Sequence, residues 1–292
     1  VPATATIDGV RETALQIAGD AALFGILTEP VDTEAVRPYR ALLLLNAGAV
    51  RHIGPNRLYT DLARRWARRG MLVLRLDLSG LGDSPSRPGE QENIVYSERA
   101  LDDVAAALEF LRNRTTVGRV AIAGLCSGAY HAFKAAVTGL PVDQIVAVNP
   151  LTFFWRPGMP LDVPSYAVES EVRRYRKRIL DREAWLKLLR GDVSLRNATQ
   201  IAAQWVFDRS AGFAREFARA TGLPLEDDLA AELAAVARRG VMMNFVFSEG
   251  DPGLALLRVQ GGRTVGRLAR AGKLTIDLIP KADHTLTTPR AQ

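Results

Sequence analysis

The sequence predicts an α/β fold: a mostly parallel central sheet with helices on both faces, interrupted by a helical insertion. Three observations carry this. Short apolar runs alternate with amphipathic stretches along most of the chain. The runs are nearly continuous rather than alternating, as in strands buried on both faces. Residues 151–239 break the alternation with helical stretches and no convincing strand, and strand character resumes at Val241. The expected organisation is a core of residues 1–150 and 240–292, with residues 151–239 forming a lid over the carboxyl ends of the strands.

In chain order, Thr13 to Ala18 and Ala21 to Pro30 read as two strands joined at the turn pair Gly19-Asp20. Ala41 to Leu45 is a short apolar strand. Asn56 to Arg69 reads as a helix in which Leu58, Leu62 and Trp66 recur every four residues, with Gly70 as its stop. Met71 to Leu78 is the next strand, and SGLGDSPSRPGE after it is a loop. Ser97 is placed as the cap of a helix striped by Leu101, Val104, Leu108 and Leu111. Arg119 to Ala123 is a strand, Ser127 to Val137 a helix, and Gln144 to Val148 a strand. After the insertion come strand Val241 to Phe247, a helix within Leu254 to Ala271, and strand Lys273 to Ile279.

Composition bounds the function. The 292 residues are 48% hydrophobic and 24% charged, an ordinary soluble profile with enough chain for a large core. One cysteine precludes a disulfide within the chain, and three histidines with one thiol argue against structural zinc. The longest apolar runs are far too short to span a bilayer, and no signal peptide opens the sequence, so no membrane partner and a cytoplasmic location are expected. The chain begins without Met and ends eight residues after His284, which suggests a processed chain or part of a longer polypeptide. Residues 171–196 hold nine Lys/Arg against four Asp/Glu and account for most of the net charge of +6. That stretch suits a solvated helix face or an acidic partner such as a phosphopantetheine carrier or coenzyme A. It is too short for a nucleic-acid site, and no binding fold accompanies it.

The chemistry centres on AIAGLCSGAYHA, residues 121–132. A strand ending in Gly-x-nucleophile-x-Gly and turning straight into a helix is a nucleophile elbow. Gly124 and Gly128 let strand and helix approach, and the central residue is Cys126. The helix N-terminus offers free N–H groups and positive potential, which favours a thiolate. Ser127 is then the first helical residue, and its backbone N–H faces the developing oxyanion. A cysteine packed as a small apolar side chain is the alternative.

A cysteine nucleophile needs a base and an acid to orient it. His131 lies on the elbow's own helix and is carried away from it. His52 follows the strand at Leu45 and reads as a substrate contact. His284 follows the last strand, where the order nucleophile, acid, histidine places the base. The acid belongs at the carboxyl end of the preceding strand, where Asp251 stands and Glu249 is the fallback. Asp283 adjoins His284, and side chains of neighbours on an extended loop diverge. The alternative acid position before the insertion reads Val148-Asn149-Pro150, with no carboxylate. The second oxyanion donor is assigned to the Ala49 N–H, in the loop turned by Gly48.

Together NAGAV, RLDLSGLGDS, GLCSG, SEGDPG and ADHTL resemble the α/β-hydrolase superfamily, in order and spacing, over nearly the whole chain. The cysteine centre is similar to that of dienelactone hydrolases and of some thioesterase-like or acyl-transferring members linked to biosynthesis. Relatives usually continue into a closing helix and often carry His-Gly where this chain has Ala47-Gly48. The resemblance implies an acyl-transfer enzyme without cofactor or metal, acting on a small ester or thioester, free or carried by coenzyme A or a carrier protein. Hydrolysis is the first expectation and transfer to an amine, alcohol or thiol the second. A non-catalytic binding protein of the same fold is the competing class, although such proteins usually lack a triad member. Residues 151–239 contain 10 of the 20 aromatics, so Trp155 and Trp205 are candidates for an apolar acyl pocket between lid and sheet.

Overall fold

The computed structural model describes residues 3–31, 40–114, 117–159 and 225–287. Nine strands form one sheet in the order β1-β2-β3-β5-β4-β6-β7-β8-β9. They are β1 (Thr4–Ile7), β2 (Val10–Ile17), β3 (Leu23–Pro30), β4 (Arg40–Leu45), β5 (Leu72–Leu76), β6 (Arg119–Leu125), β7 (Gln144–Val148), β8 (Met242–Ser248) and β9 (Leu274–Ile279). The first three pair antiparallel, and β3 joins β5 antiparallel. From β5 through β4 to β9 every pairing is parallel. Among the described residues the α-helices are α1 (Leu58–Ala67), α2 (Ala100–Arg112), α3 (Ser127–Thr138), α4 (Leu229–Arg238) and α5 (Pro252–Arg270).

The apolar runs explain the layering. Along β4 the side chains alternate faces: Leu43 and Leu45 join one buried cluster, Leu42 and Leu44 the other. The larger cluster lies under α2 to α5 and includes Phe133, Phe153, Phe245 and Phe247. The smaller lies under α1 and includes Tyr59, Ala63, Leu125, Ala282 and Leu286. Since β5 and β6 flank β4 on opposite sides, the chain reverses its winding there. A crevice opens at such a switch point, at the carboxyl ends of the strands.

Several boundaries differ from the expected ones, for physical reasons. β1 is an addition to the expected strands: it is largely exposed and built of polar and small residues, so it carries no apolar signature. The connection from β2 to β3 spans residues 18–22 rather than a two-residue turn. The helix expected from Asn56 starts at Leu58, because Asn56 (φ 48°) and Arg57 (φ 64°) are left-handed. Its Leu58/Leu62/Trp66 stripe does not stay on the core. Steps of four residues turn about 400°, so the row drifts around the helix. The buried set is Leu58, Tyr59, Thr60, Ala63 and Ala67, and Trp66 is exposed. Ser97 closes a turn ahead of α2 rather than capping it: its hydroxyl accepts from the Arg99 N–H at 3.2 Å, and Arg99 occupies the cap position. The last long helix, α5, begins at Pro252 and kinks at Gly262.

Most of the expected lid, including Trp185, Trp205 and the basic stretch 171–196, lies outside the described residues. At its far end α4 packs on α3 and α5, with Leu229, Leu233 and Val236 in the larger cluster. Among the described residues, no helix is long and apolar enough to cross a membrane.

Candidate active site

β6 delivers Cys126 at the start of α3 with φ 58° and ψ −113°, a strained conformation for a side-chain-bearing residue. The flanking glycines are sterically required. A Cβ on Gly124 would lie 2.3 Å from the Gly128 carbonyl carbon, and one on Gly128 would lie 2.6 Å from the Asn46 oxygen. Any side chain at either position would push α3 off the sheet. The turn is pinned by the Cys126 N–H donating to Val148 O at 2.9 Å and the Leu125 N–H donating to the Tyr59 hydroxyl at 2.9 Å. Cys126 is half-buried, a free thiol at the rim of the smaller cluster.

The loop after β4 docks onto this elbow. The Gly48 N–H donates to Ser127 Oγ at 2.8 Å, and Ser127 is 1% exposed. The Ser127 hydroxyl is thus a structural tie between loop and helix. Gly48 sits at φ 59°, which makes the tight turn there. The two N–H groups singled out from the sequence, those of Ala49 and Ser127, make no hydrogen bond among the described residues.

Asp251 ends the loop after β8 and caps α5, its Oδ1 accepting from the Gly253 N–H at 2.9 Å. Its Oδ2 lies 2.7 Å from His284 Nδ1, and its side chain is only 1% exposed. The other His284 nitrogen, Nε2, is buried without a hydrogen-bond partner among the described residues. Burial disfavours the imidazolium, but the hydrogen bond and charge of Asp251 and the nearness of the Cys126 thiol outweigh it and raise His284 to about 9. Glu249 instead accepts from the Lys281 N–H at 3.1 Å, and Asp283 is bound to Thr287, so neither carboxylate takes His284.

The remaining histidines are held elsewhere. His131 is fully buried with Nε2 2.9 Å from Val95 O, and desolvation drives its pKa down to about 4. His52 places Nδ1 2.8 Å from Asp77 Oδ2. The Asp77 carboxylate accepts three further bonds, from the N–H groups of His52 and Asp83 and from Asn46 Nδ2. This hub fixes the loop after β4, since Asn46 begins that loop. Gly82 is required beside it: a Cβ there would fall 2.3 Å from Asp77 Oδ2. The candidate ligand atoms of His52, Asp77 and Asp83 lie within 4.8 Å of one another. With four donors on Asp77 and Arg51 on Asp83 at 3.4 Å, the group is arranged as a hydrogen-bond hub rather than as a metal cage. His52 also lines a cavity of about 560 Å³ with Arg57, Thr60, Arg64 and Arg75, whose walls contain none of Cys126, Asp251 and His284.

Of the aromatic group formed by Tyr96, Tyr130 and Trp155, only Trp155 is among the pocket residues expected from the sequence. Tyr96, from the loop before α2, stacks on Trp155 with ring centres 4.2 Å apart and meets Tyr130 edge-on at 5.2 Å. Burial and then the charge of Cys126 raise the Tyr96 phenol, which puts it in the thiol's electrostatic neighbourhood. Trp155 thus reaches the thiol's surroundings through Tyr96. Nothing near Tyr96 in the sequence marks it, because it sits in a loop without periodicity. Trp205 lies outside the described residues.

A family model described as serine aminopeptidase S33 matches residues 37–203. The matched segment contains the loop after β4 and Cys126, and Asp251 and His284 lie beyond it. None of the curated proteins matches the sequence. Among solved structures, an acetyl xylan esterase from Paenibacillus sp. R4 is 14% identical with a TM-score of 0.55, covering 97% of this chain and 83% of its own. A dienelactone hydrolase from Anabaena variabilis is 13% identical with a TM-score of 0.54, covering 97% and 92%. An esterase from Pyrococcus furiosus is 12% identical with a TM-score of 0.50, covering 92% and 80%. At such identities these likenesses establish the fold. The family match spans more than half of the sequence, and on that ground the chain belongs to the serine aminopeptidase S33 family of the α/β-hydrolase superfamily.

Proposed function

We propose that the protein is an acyl-transfer enzyme that cleaves a small ester or thioester through an acyl-cysteine intermediate. The single observation that carries this reading is the His284 ring, held by Asp251 on Nδ1 at 2.7 Å, with Nε2 buried and without a hydrogen-bond partner among the described residues and the Cys126 thiol near enough to raise its pKa. His284 Nε2 takes the proton from the Cys126 thiol. The sulfur attacks the substrate carbonyl, and the N–H groups of Ser127 and Ala49 receive the charge that develops on its oxygen. The tetrahedral intermediate collapses, His284 protonates the leaving alcohol or thiol, and the acyl group stays on sulfur. His284 then removes a proton from water, which attacks the thioester and releases the acid. Asp251 holds the imidazole in the required tautomer and stabilises its charged form throughout. The strained backbone of Cys126 and the uncommitted amides beside it support this order of events. Ser127 cannot replace the cysteine as nucleophile, because its hydroxyl is enclosed and bound to Gly48. Tyr96 and Trp155 form one wall of the acyl site.

The intermediate is a thioester, which amines and thiols attack more readily than they attack an oxyester. The test therefore reads formation and decay separately. The protein is incubated with p-nitrophenyl acetate and with acetyl and octanoyl thioesters, then followed by intact mass. One acyl adduct is expected on the wild type and none on Cys126→Ala. Decay at the same rate with and without added amines marks a hydrolase, and decay accelerated by an acceptor marks a transferase. Unchanged turnover by Cys126→Ala overturns the proposal.

A further inference from the structure

We propose that Asn149 is a positioning residue for His284: its carboxamide grips the backbone carbonyl of His284 and so fixes where the imidazole meets Asp251 and Cys126. The inference rests on the reading of His284 as the base.

Asn149 follows β7 directly, is fully buried, and takes φ 45°, a left-handed conformation that asparagine tolerates better than most residues. Its N–H donates to Val246 O at 2.9 Å, tying the ends of β7 and β8. Its side chain is fully engaged. Oδ1 accepts from the Ser248 N–H at 2.7 Å, and Nδ2 donates to Ser248 Oγ at 2.9 Å and to His284 O at 2.7 Å. Ser248 Oγ in turn donates to Asp283 O at 2.6 Å. Two successive carbonyls of the histidine loop are thus held from beneath by one amide and one hydroxyl. The partners fix the orientation of the amide. Reversed, it would set an oxygen against His284 O and an N–H₂ against an N–H. Two further ties of this loop, Lys281 to Glu249 and Thr287 to Asp283, are exposed.

The chemistry also explains why the residue is an amide. An aspartate of the same shape would keep the bond from the Ser248 N–H but would face His284 O with a second oxygen. The position needs a donor that points at the histidine loop, and a carboxylate cannot supply one. Cys126 hangs from the same strand, through its N–H on Val148 O. The end of β7 therefore sets both the thiol and the imidazole, and it registers them against each other.

Two variants test this. Asn149→Gly accepts the left-handed backbone and removes all three side-chain bonds. Asn149→Asp keeps shape and the acceptor for the Ser248 N–H and loses the Nδ2 donor, and with it the bonds to His284 O and Ser248 Oγ. Acylation of Cys126 by p-nitrophenyl acetate is expected to slow by roughly tenfold to a hundredfold in both, with KM changed by less than about twofold, as misplacement of a catalytic group predicts. With only three histidines in the chain, NMR follows the His284 ring directly. Its titration is expected to move at least about one pH unit toward the ordinary histidine value in Asn149→Gly, a shift that loss of stability alone does not produce. If Asn149→Gly does not fold, the rate of Asn149→Asp decides. Folded variants that acylate at the wild-type rate, with the His284 titration unmoved where it is measured, overturn the inference. Full acylation by His284→Ala would instead overturn the base assignment. The ring titration still tests Asn149 in that case, because it needs no catalysis.

Discussion

The molecule contains two histidine–aspartate pairs with nearly the same contact. His284 Nδ1 lies 2.7 Å from Asp251, and His52 Nδ1 lies 2.8 Å from Asp77. Only their surroundings differ. Asp77 is saturated by four donors and holds the loop after β4 in shape. Asp251 takes one backbone N–H and the imidazole, and Cys126 influences that imidazole as well. A histidine on a buried carboxylate is therefore not in itself a catalytic sign. What separates the pairs is the Cys126 thiol, whose influence reaches the His284 ring, and the share of the carboxylate's capacity that remains for the ring.

The comparison can be broken in order of expected effect. His284→Ala should slow Cys126 acylation by about 10⁴-fold, whereas His52→Ala should slow it by less than about tenfold. Equal losses would erase the distinction between the two rings. Asp251→Asn should cost about 10²–10³-fold in the same assay, less than loss of the base itself. Asp77→Asn should act mainly on stability. It would put an amide N–H₂ where donors now converge, and denaturant unfolding should show a loss of about 2–3 kcal/mol.

The smallest expected effect is on pH dependence. His284 rises in the folded state from its ordinary 6.5 to about 9. A raised folded-state pKa stabilises fully below the unfolded value, and that contribution is lost as pH climbs through the folded one. Denaturant midpoints should therefore fall between about pH 6.5 and 9. The same series on His284→Ala should be flatter in that window, and an unaltered slope would assign the loss to other groups.

The parallel strands and their positions along the chain are largely legible in the sequence, because buried parallel strands must be apolar runs and those runs stand out; their spatial order comes from the structure. The elbow is legible for a steric reason: Gly124 and Gly128 touch backbone that no side chain can share. Asp251 and His284 follow from the chain order of such sites, and the side chains meet at 2.7 Å. What is not legible depends on contacts between distant segments. Tyr96 lies in an irregular loop and gains its place only by stacking on Trp155. Asn149 stands out in the sequence only for lacking a carboxylate, and its grip on a carbonyl 135 positions away has no local signature. Trp66 shows the opposite failure, an apolar residue with the right spacing on a helix that turns it to solvent.

Cys126 is braced by Val148, whereas its imidazole arrives with the segment after β9. During synthesis the turn that holds the sulfur can be complete while well over a hundred residues are still to be added, a delay of several seconds or more at about 5–20 residues per second. The two sides of the site therefore come together only once β9 and the segment after it have joined the sheet.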